Sequence, residues 1–376
     1  MKIAVVVPTY NEKENVTHLI GAILAQDEKI KGHSLHVVIA DANSPDGTGD
    51  AVRGLQKKIS SLHLVEDSRR GIGVGLLTGF DYAFNTLKVD AGVSMDADFS
   101  HNPNDIPRLV AEFDKGYHVV IGSRYMKGGS TKNWSMVRRM GSIVINQYIK
   151  LVLGMKPEDS TTDFRLYTKD VWRKLDKQSV PWERRSFLAT LAILYYMLKV
   201  SPNFIEIPVA FPDRERGYSK AMLLAYAIDI FKFGLKERRG TIMTFFRFLA
   251  VGLTGVVVNL GAISFFIEVM SLNKLLSSAL AAETSIFSNF ILNNLYTFHG
   301  RSRERNILVK FVKYNIVALS GIFITLGVFW FFTHVVYLHY LIAQLLGIGV
   351  ATPLTFLASI KWAWKKDGNL TKGGTS

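Results

Sequence analysis

The sequence predicts two architectures in series: a mainly parallel α/β domain over residues 1–220 and an all-α membrane domain of four spans over residues 243–376. Three observations predict this. Apolar strand-like runs alternate with helical patterns over the first 125 residues, the order that gives a parallel sheet. Residues 243–364 are dominated by long apolar stretches, and a bilayer span takes about 20 such residues. That region also contains an internal repeat, two spans to a unit, whose copies begin 66 residues apart at Arg247 and Lys313. At 376 residues the chain is too long for one ordinary domain. With no cysteine, disulfides and thiolate metal sites are excluded. Its 45 Lys and Arg against 31 Asp and Glu leave a net charge of +14, which suits anionic partners such as a membrane surface or phosphorylated substrates. Nucleic acid fits the charge, but no module of stacking aromatics with basic interleaving is present.

In order, "KIAVVVPTY", "LHVVIADAN", "LHLVED", "AGVSMDAD" and "YHVVIGSRY" read as strands, with helices over 12–26, 48–60, 74–87 and 104–115. The opening strand is too short and too early for a secretory signal, which places the first domain on the cytoplasmic side. In open α/β sheets ligands sit beyond the carboxyl ends of the strands. Pro8 to Glu12, Asp41 to Asp46 and Asp96 to Ser100 all fall at such ends. Within the last cluster, Asp96 and Asp98 are spaced i, i+2 ahead of the turn Ser100-His101-Asn102-Pro103. The spacing also occurs in solvated turns. Two carboxylates aimed at one point are nonetheless what a divalent cation bridging a diphosphate requires. Gly71-Ile72-Gly73-Val74-Gly75, after Arg69 and Arg70, lacks the spacing and strand context of a dinucleotide fingerprint. It reads as a loop near phosphate or sugar.

Residues 135–153 and 221–236 place apolar side chains at near-helical spacing. Both suit interfacial amphipathic helices, with a core helix the equal alternative for the first. Residues 221–242 are taken as the linker to the membrane half. The four spans are expected at about 246–270, 275–297, 314–337 and 340–362. Lys and Arg cluster before the first span, after the second and after the fourth, so both termini are expected in the cytoplasm. "RFLAVGLTGVVVNLGAISFF" from Arg247 and "KYNIVALSGIFITLGVFWFF" from Lys313 are in register, Gly255 with Gly321 among the matches. Glu283, Asn289, Asn293 and Asn294 are polar groups in or near the second span, read either as functional or as interhelical hydrogen bonding.

The ordered set "VVVPTYNEKEN", "DANSPDGT", "MDADFSHNP", "IGSRYMKGG" with "NW", "TTDFRLY" and "DRERGYSK" resembles the inverting GT-A glycosyltransferases of family 2 that make polyprenyl-phosphate sugars, dolichol-phosphate mannose synthases above all. The four-span half is similar to the GtrA-like membrane domain. The resemblance covers nearly the whole chain. It implies that Pro8, Tyr10, Glu12, Asp41, Asp96 and Ala97 bind the nucleotide sugar. It implies that Asp96, Asp98 and Ser100 hold Mg2+ or Mn2+. Arg124, Arg138, Ser142, Arg214 and Lys220 would hold the acceptor phosphate, with Asp98, Arg124, Arg138 and Arg214 central to catalysis. Asp159 matches the acid that opens the motif ending in "TTDFRLY".

These residue types suit the chemistry. A phosphate monoester acceptor, with a second pKa of about 6, needs positioning and charge neutralisation rather than a strong base, and arginine forks supply both. The implied reaction is transfer of a hexose, mannose from GDP-mannose first, to dolichyl or another polyprenyl phosphate at the cell membrane. The alternatives are a UDP-glucose-dependent polyprenyl-phosphate glucosyltransferase and a lipid-linked-sugar flippase with a sensor domain. A processive synthase would carry a QxxRW motif, which is absent. The chain departs from the family pattern at Ala42, at Ala192 and at Tyr218, around donor and acceptor rather than at the metal.

Overall fold

The structure is a computed structural model and describes residues 1–183, 187–212, 220–301 and 306–365. It divides into two compact units, Met1–Glu237 and Arg238–Ser376.

The first unit is built on a seven-stranded sheet. Its strands are β1 (Lys2–Thr9), β2 (Ser34–Asp41), β3 (Leu62–Glu66), β4 (Ala91–Ser94), β5 (Val119–Ser123), β6 (Arg165–Thr168) and β7 (Phe204–Pro208). The spatial order is β3-β2-β1-β4-β6-β5-β7, and only β6 runs antiparallel to its neighbours. The run Ile3-Ala4-Val5-Val6-Val7 is apolar throughout because both faces of β1 are covered. Ile3, Val5 and Val7 join one core with α1 (Lys13–Leu24), α2 (Thr48–Gln56) and α4 (Ile106–Asp114). Ala4 and Val6 join the other with α3 (Ile72–Asp81) and α7 (Leu188–Val200). Two further helices are α5 (Met136–Tyr148) and the short α6 (Lys169–Lys174).

The glycine-rich run is helix, not a loop. Gly71 is the N-cap of α3, and a Cβ at Gly75 would stand 2.8 Å from Pro8 Cβ. Gly75 against Pro8 and Gly79 against Val6 let α3 lie close on β1, while Gly73 faces Trp182 and Ala189. Gly75→Ala is therefore expected to cost about 1–3 kcal/mol by overpacking against a rigid ring, read as a lower thermal midpoint in detergent. An unchanged midpoint would show that the helix can lift freely.

The exposed positions of α5 decide between the two readings of residues 135–153. Met136, Val137, Met140, Ile143 and Val144 are exposed, Val137 at 82%. Arg138, Ser142 and Asn146 recur at i, i+4 and i+8 on another face, with Asn146 buried. The helix thus exposes an apolar face while Ile145, Asn146 and Tyr148 turn toward the protein, and it is not a core helix. Its C-terminal end packs on the start of α8 (Lys220–Ser264), where Tyr148 Oη donates to Phe231 O at 3.2 Å.

The second unit contains α8 from Arg238 onward, α9 (Lys274–Leu292), α10 (Ile307–His334) and α11 (Tyr340–Ala358). Among the described residues, four helices are long and apolar enough to cross a membrane. The 66-residue repeat is visible in the packing. A Cβ at Gly255 would collide with the Asn289 amide, and one at the equivalent Gly321 would stand 2.7 Å from Cγ2 of the equivalent Thr355. One-turn π segments, Asn293–Thr297 and Ser359–Ala363, end α9 and α11 at equivalent positions. The equivalent rings Phe298 and Trp364 stack on each other at 4.5 Å. The polar side chains of the second span serve helix contacts. Asn293 donates to Tyr314 Oη (3.3 Å), Asn294 accepts from Trp364 Nε1 (3.2 Å) and Glu283 accepts from Asn315 (3.3 Å).

Candidate active site

The carboxyl ends of β1, β2 and β4 bring three of the predicted clusters to one sheet edge. Thr9 is paired with Asp41 in register, and Met95 N–H donates to Val6 O. Asp41 is buried and organises its own loop. Its Oδ1 accepts from Thr9 Oγ1 (2.8 Å) and Ser44 Oγ (2.6 Å), and its Oδ2 from Ser44 N–H (2.8 Å). Asn11, in the left-handed region at φ +57°, turns the chain after β1 so that its N–H reaches Ser44 Oγ. Glu12 begins α1, and Asn15 donates to its carboxylate at 2.8 Å. Tyr10 is exposed with the Arg70 guanidinium over its ring at 4.6 Å. Asp67, just past β3, joins this edge through its N–H to Asp41 O (3.0 Å). Hydrogen bonds from Arg69 hold its carboxyl down at about 2.

The Asp96–Ser100 turn follows β4. Its shape comes from Asp98 Oδ1 accepting the Ser100 N–H (3.0 Å) and from Phe99 in the left-handed region, φ +58°. His101 closes the turn. Its Nδ1 accepts the Asp96 N–H at 3.0 Å while its ring lies buried on Phe164. Asp163 sits behind Asp96. Burial pushes its carboxyl up, to about 8, with Arg165 opposing at 4.0 Å and the Asp96 charge adding to the rise.

These residues fit a hard divalent cation. Asp96 and Asp98 are oxygen donors, and Ser100 Oγ is buried with no hydrogen-bond partner among the described residues. No group of three or more His, Asp or Glu closes around one point among the described residues. The protein would therefore supply two carboxylates and a hydroxyl, leaving positions for phosphate oxygens and water, as Mg2+ prefers.

Arg124 and Arg138 meet at one aromatic ring. Their guanidinium carbons lie 5.2 and 3.9 Å from the Trp134 ring centroid. Arg124 is buried and bidentate on Asp159, with Nε to Oδ2 at 2.6 Å and Nη2 to Oδ1 at 2.7 Å. Burial alone would raise the Asp159 carboxyl, but the Arg124 charge and hydrogen bonds hold it below its ordinary range. Nη2 also donates to Thr161 Oγ1 (2.6 Å), so three of the five guanidinium N–H bonds are committed and Nη1 has no partner among the described residues. Thr161 Oγ1 accepts in turn from Asn146 Nδ2 (3.1 Å), which ties α5 to the 159–162 loop. Ser142 lies one turn before Asn146 and accepts from it through its backbone carbonyl (3.0 Å). Arg214 and the side chain of Lys220 lie outside the described residues.

The sequence reading missed His101, Trp134, Asn146, Thr161 and Asp163 as members of this region. All but Asn146 stand inside quoted motifs, and Asn146 continues the i, i+4 stripe of Arg138 and Ser142. Ala192 is fully buried in α7.

Residues 4–176 match the family described as "Glycosyl transferase family 2", and residues 247–364 match "GtrA/DPMS, transmembrane domain". The chain is 30% identical over 370 residues to the dolichol-phosphate mannosyltransferase of Pyrococcus furiosus, covering 97% of this chain and 99% of that one. It belongs to glycosyltransferase family 2. The family-2 domain is also 31% identical over 220 residues to the polyprenol monophosphomannose synthase of Mycolicibacterium smegmatis, covering 57% of this chain and 79% of that one. Among solved structures, mannosyl-3-phosphoglycerate synthase from Rubrobacter xylanophilus is similar with a TM-score of 0.47 and 14% identity, covering 64% of this chain and 74% of that one. The protein is a glycosyltransferase of the GT-A class joined to a multi-pass membrane domain.

Proposed function

We propose that this glycosyltransferase moves mannose from GDP-mannose to dolichyl or another polyprenyl phosphate, inverting the anomeric centre, with its catalytic unit and both termini in the cytoplasm. The observation that carries the reading is the pairing of Arg124 and Arg138 on one indole at the root of α5, whose outer face is apolar. A lipid phosphate meets that arrangement naturally: its tail runs in the bilayer along Met136, Met140 and Val144, and its head reaches the two guanidiniums. The full-length likeness to a dolichol-phosphate mannosyltransferase supports the same choice of acceptor and sugar.

Each residue then has a task. Pro8, Tyr10, Glu12, Asp41 and Ala97 cradle the nucleoside at the sheet edge. Asp96, Asp98 and Ser100 hold Mg2+ or Mn2+, which when bound stabilises the negative charge of the departing diphosphate. Arg138, and Nη1 of Arg124, orient the acceptor oxygen for attack opposite the leaving group. Arg214, Ser142 and Lys220 complete the acceptor site. The acceptor is already ionised at neutral pH, so no base is required.

Purified protein in detergent is expected to convert GDP-mannose and a polyprenyl phosphate into an organic-extractable lipid sugar, and EDTA is expected to abolish the conversion. A panel of GDP- and UDP-sugars checks the donor. Product from UDP-glucose alone would replace the mannosyl reading by the glucosyl one, consistent with Ala42 in place of a second acid at the end of β2. No lipid product from any donor would remove the transferase reading.

A further inference from the structure

Trp134 is the point where the two acceptor arginines meet, and its own polar atom has no task in the fold. Both guanidiniums lie against its indole, and Phe211 packs on it at a steep angle with centroids 5.8 Å apart. Its Nε1 is shielded from solvent and has no hydrogen-bond partner among the described residues. Of the side chains stacked around the ring, the guanidiniums carry donors only and the phenyl ring carries neither donor nor acceptor. Among the described residues, the indole N–H is therefore a shielded donor with no acceptor.

The backbone fixes the ring in that place. Ser130 bridges Ala210 in parallel, with Ser130 N–H on Val209 O at 3.1 Å and Phe211 N–H on Ser130 O at 2.9 Å. Asn133, left-handed at φ +64°, turns the chain inward just before Trp134. Ser135 then caps α5 by accepting the Arg138 N–H (3.3 Å), so Trp134 and Arg138 are held one helical turn apart. Two independent features thus converge: a stacking platform that orients Arg138, and a dehydrated donor beside it.

We infer that Trp134 is an acceptor-binding residue, its ring face setting the Arg138 guanidinium and its Nε1–H donating to an oxygen of the phosphate monoester. The inference deepens the function proposed above and rests on it. A neutral N–H beside the guanidiniums adds a further direction of hydrogen bonding without adding charge. That serves a tetrahedral phosphate, whose oxygens point away from any single guanidinium plane.

Trp134→Phe keeps the ring and removes the donor. It is expected to raise KM for the polyprenyl phosphate about tenfold while leaving KM for the nucleotide sugar unchanged. Trp134→Ala removes the platform as well, and the further loss from adding Arg138→Ala to it should be smaller than Arg138→Ala causes alone. An unchanged acceptor KM in Trp134→Phe, or an equal rise in both KM values, overturns the inference. Should that variant lose its thermal transition, the wild-type chain gives a second measurement. One of its six indole N–H resonances should move downfield on adding farnesyl phosphate, less with inorganic phosphate, and not with farnesol. No such shift with farnesyl phosphate also overturns it. A wild-type protein that binds farnesyl phosphate in this way but forms no lipid sugar would instead fault the function, not the site.

Discussion

Asp98→Asn is expected to lower kcat/KM by about 10²–10³ and to leave the thermal midpoint where it is. The asymmetry follows from the turn. Asp98 shapes the turn through Oδ1, which accepts the Ser100 N–H at 3.0 Å. An asparagine keeps an acceptor at that position, so the turn through left-handed Phe99 survives. What disappears is one negative charge facing the diphosphate site proposed for Asp96, Asp98 and Ser100. With two carboxylates rather than a closed protein cage, losing one removes half the anionic holding power for the cation. Cation affinity should fall together with the rate, and raising Mn2+ should recover part of the activity. Steady-state kinetics at several cation concentrations, beside a thermal scan, measure both. Near-wild-type turnover in a variant that still folds would exclude Asp98 from the site.

Much of this was legible in the chain itself, for reasons that differ by element. β1 and β2 announce themselves because a parallel strand covered on both faces must be apolar at every position. The repeat in the membrane half is legible because the helices pack at equivalent glycines, and a glycine in close contact leaves a mark in the sequence. β6 was missed because its first residue is Arg165, fully buried and donating to Thr190 O and Ser160 O, a partnership that sequence order hides. The glycine run at 71–75 was misplaced because composition tells loop from helix poorly when glycines serve close packing on Pro8. In the site, the motifs exposed the metal and arginine candidates. They could not show that Arg124 already spends most of its donors on Asp159 and Thr161, which makes it as much a structural anchor as a ligand.

That anchoring carries the other large effect. Asp159→Asn is expected to destabilise the catalytic unit by about 3–5 kcal/mol, the usual cost of stranding one member of a buried ion pair. Both partners are almost fully buried, so solvent does not soften the loss. The amide can also present N–H toward the guanidinium and put donor against donor. Besides Arg124, the Asp159 carboxylate organises its own loop, accepting the Thr161 and Thr162 N–H groups at 3.2 Å. The pH dependence has a definite sign. Arg124 lowers the folded-state pKa of Asp159 below its unfolded value, although burial opposes it. The pair's contribution is then fully present above the unfolded value, about 3.9, and is lost as pH falls through the lower, folded value. Thermal midpoints of wild type and Asp159→Asn should differ most at neutral pH and converge in acid. Activity follows the same geometry: with Arg124 released, Nη1 loses its fixed direction and Thr161 loses its bond to Arg124, so the acceptor KM should rise even at temperatures where the variant stays folded. Equal midpoints at pH 7 would mean that Arg124 is held by the aromatic rings of Trp134 and Phe211 rather than by its carboxylate.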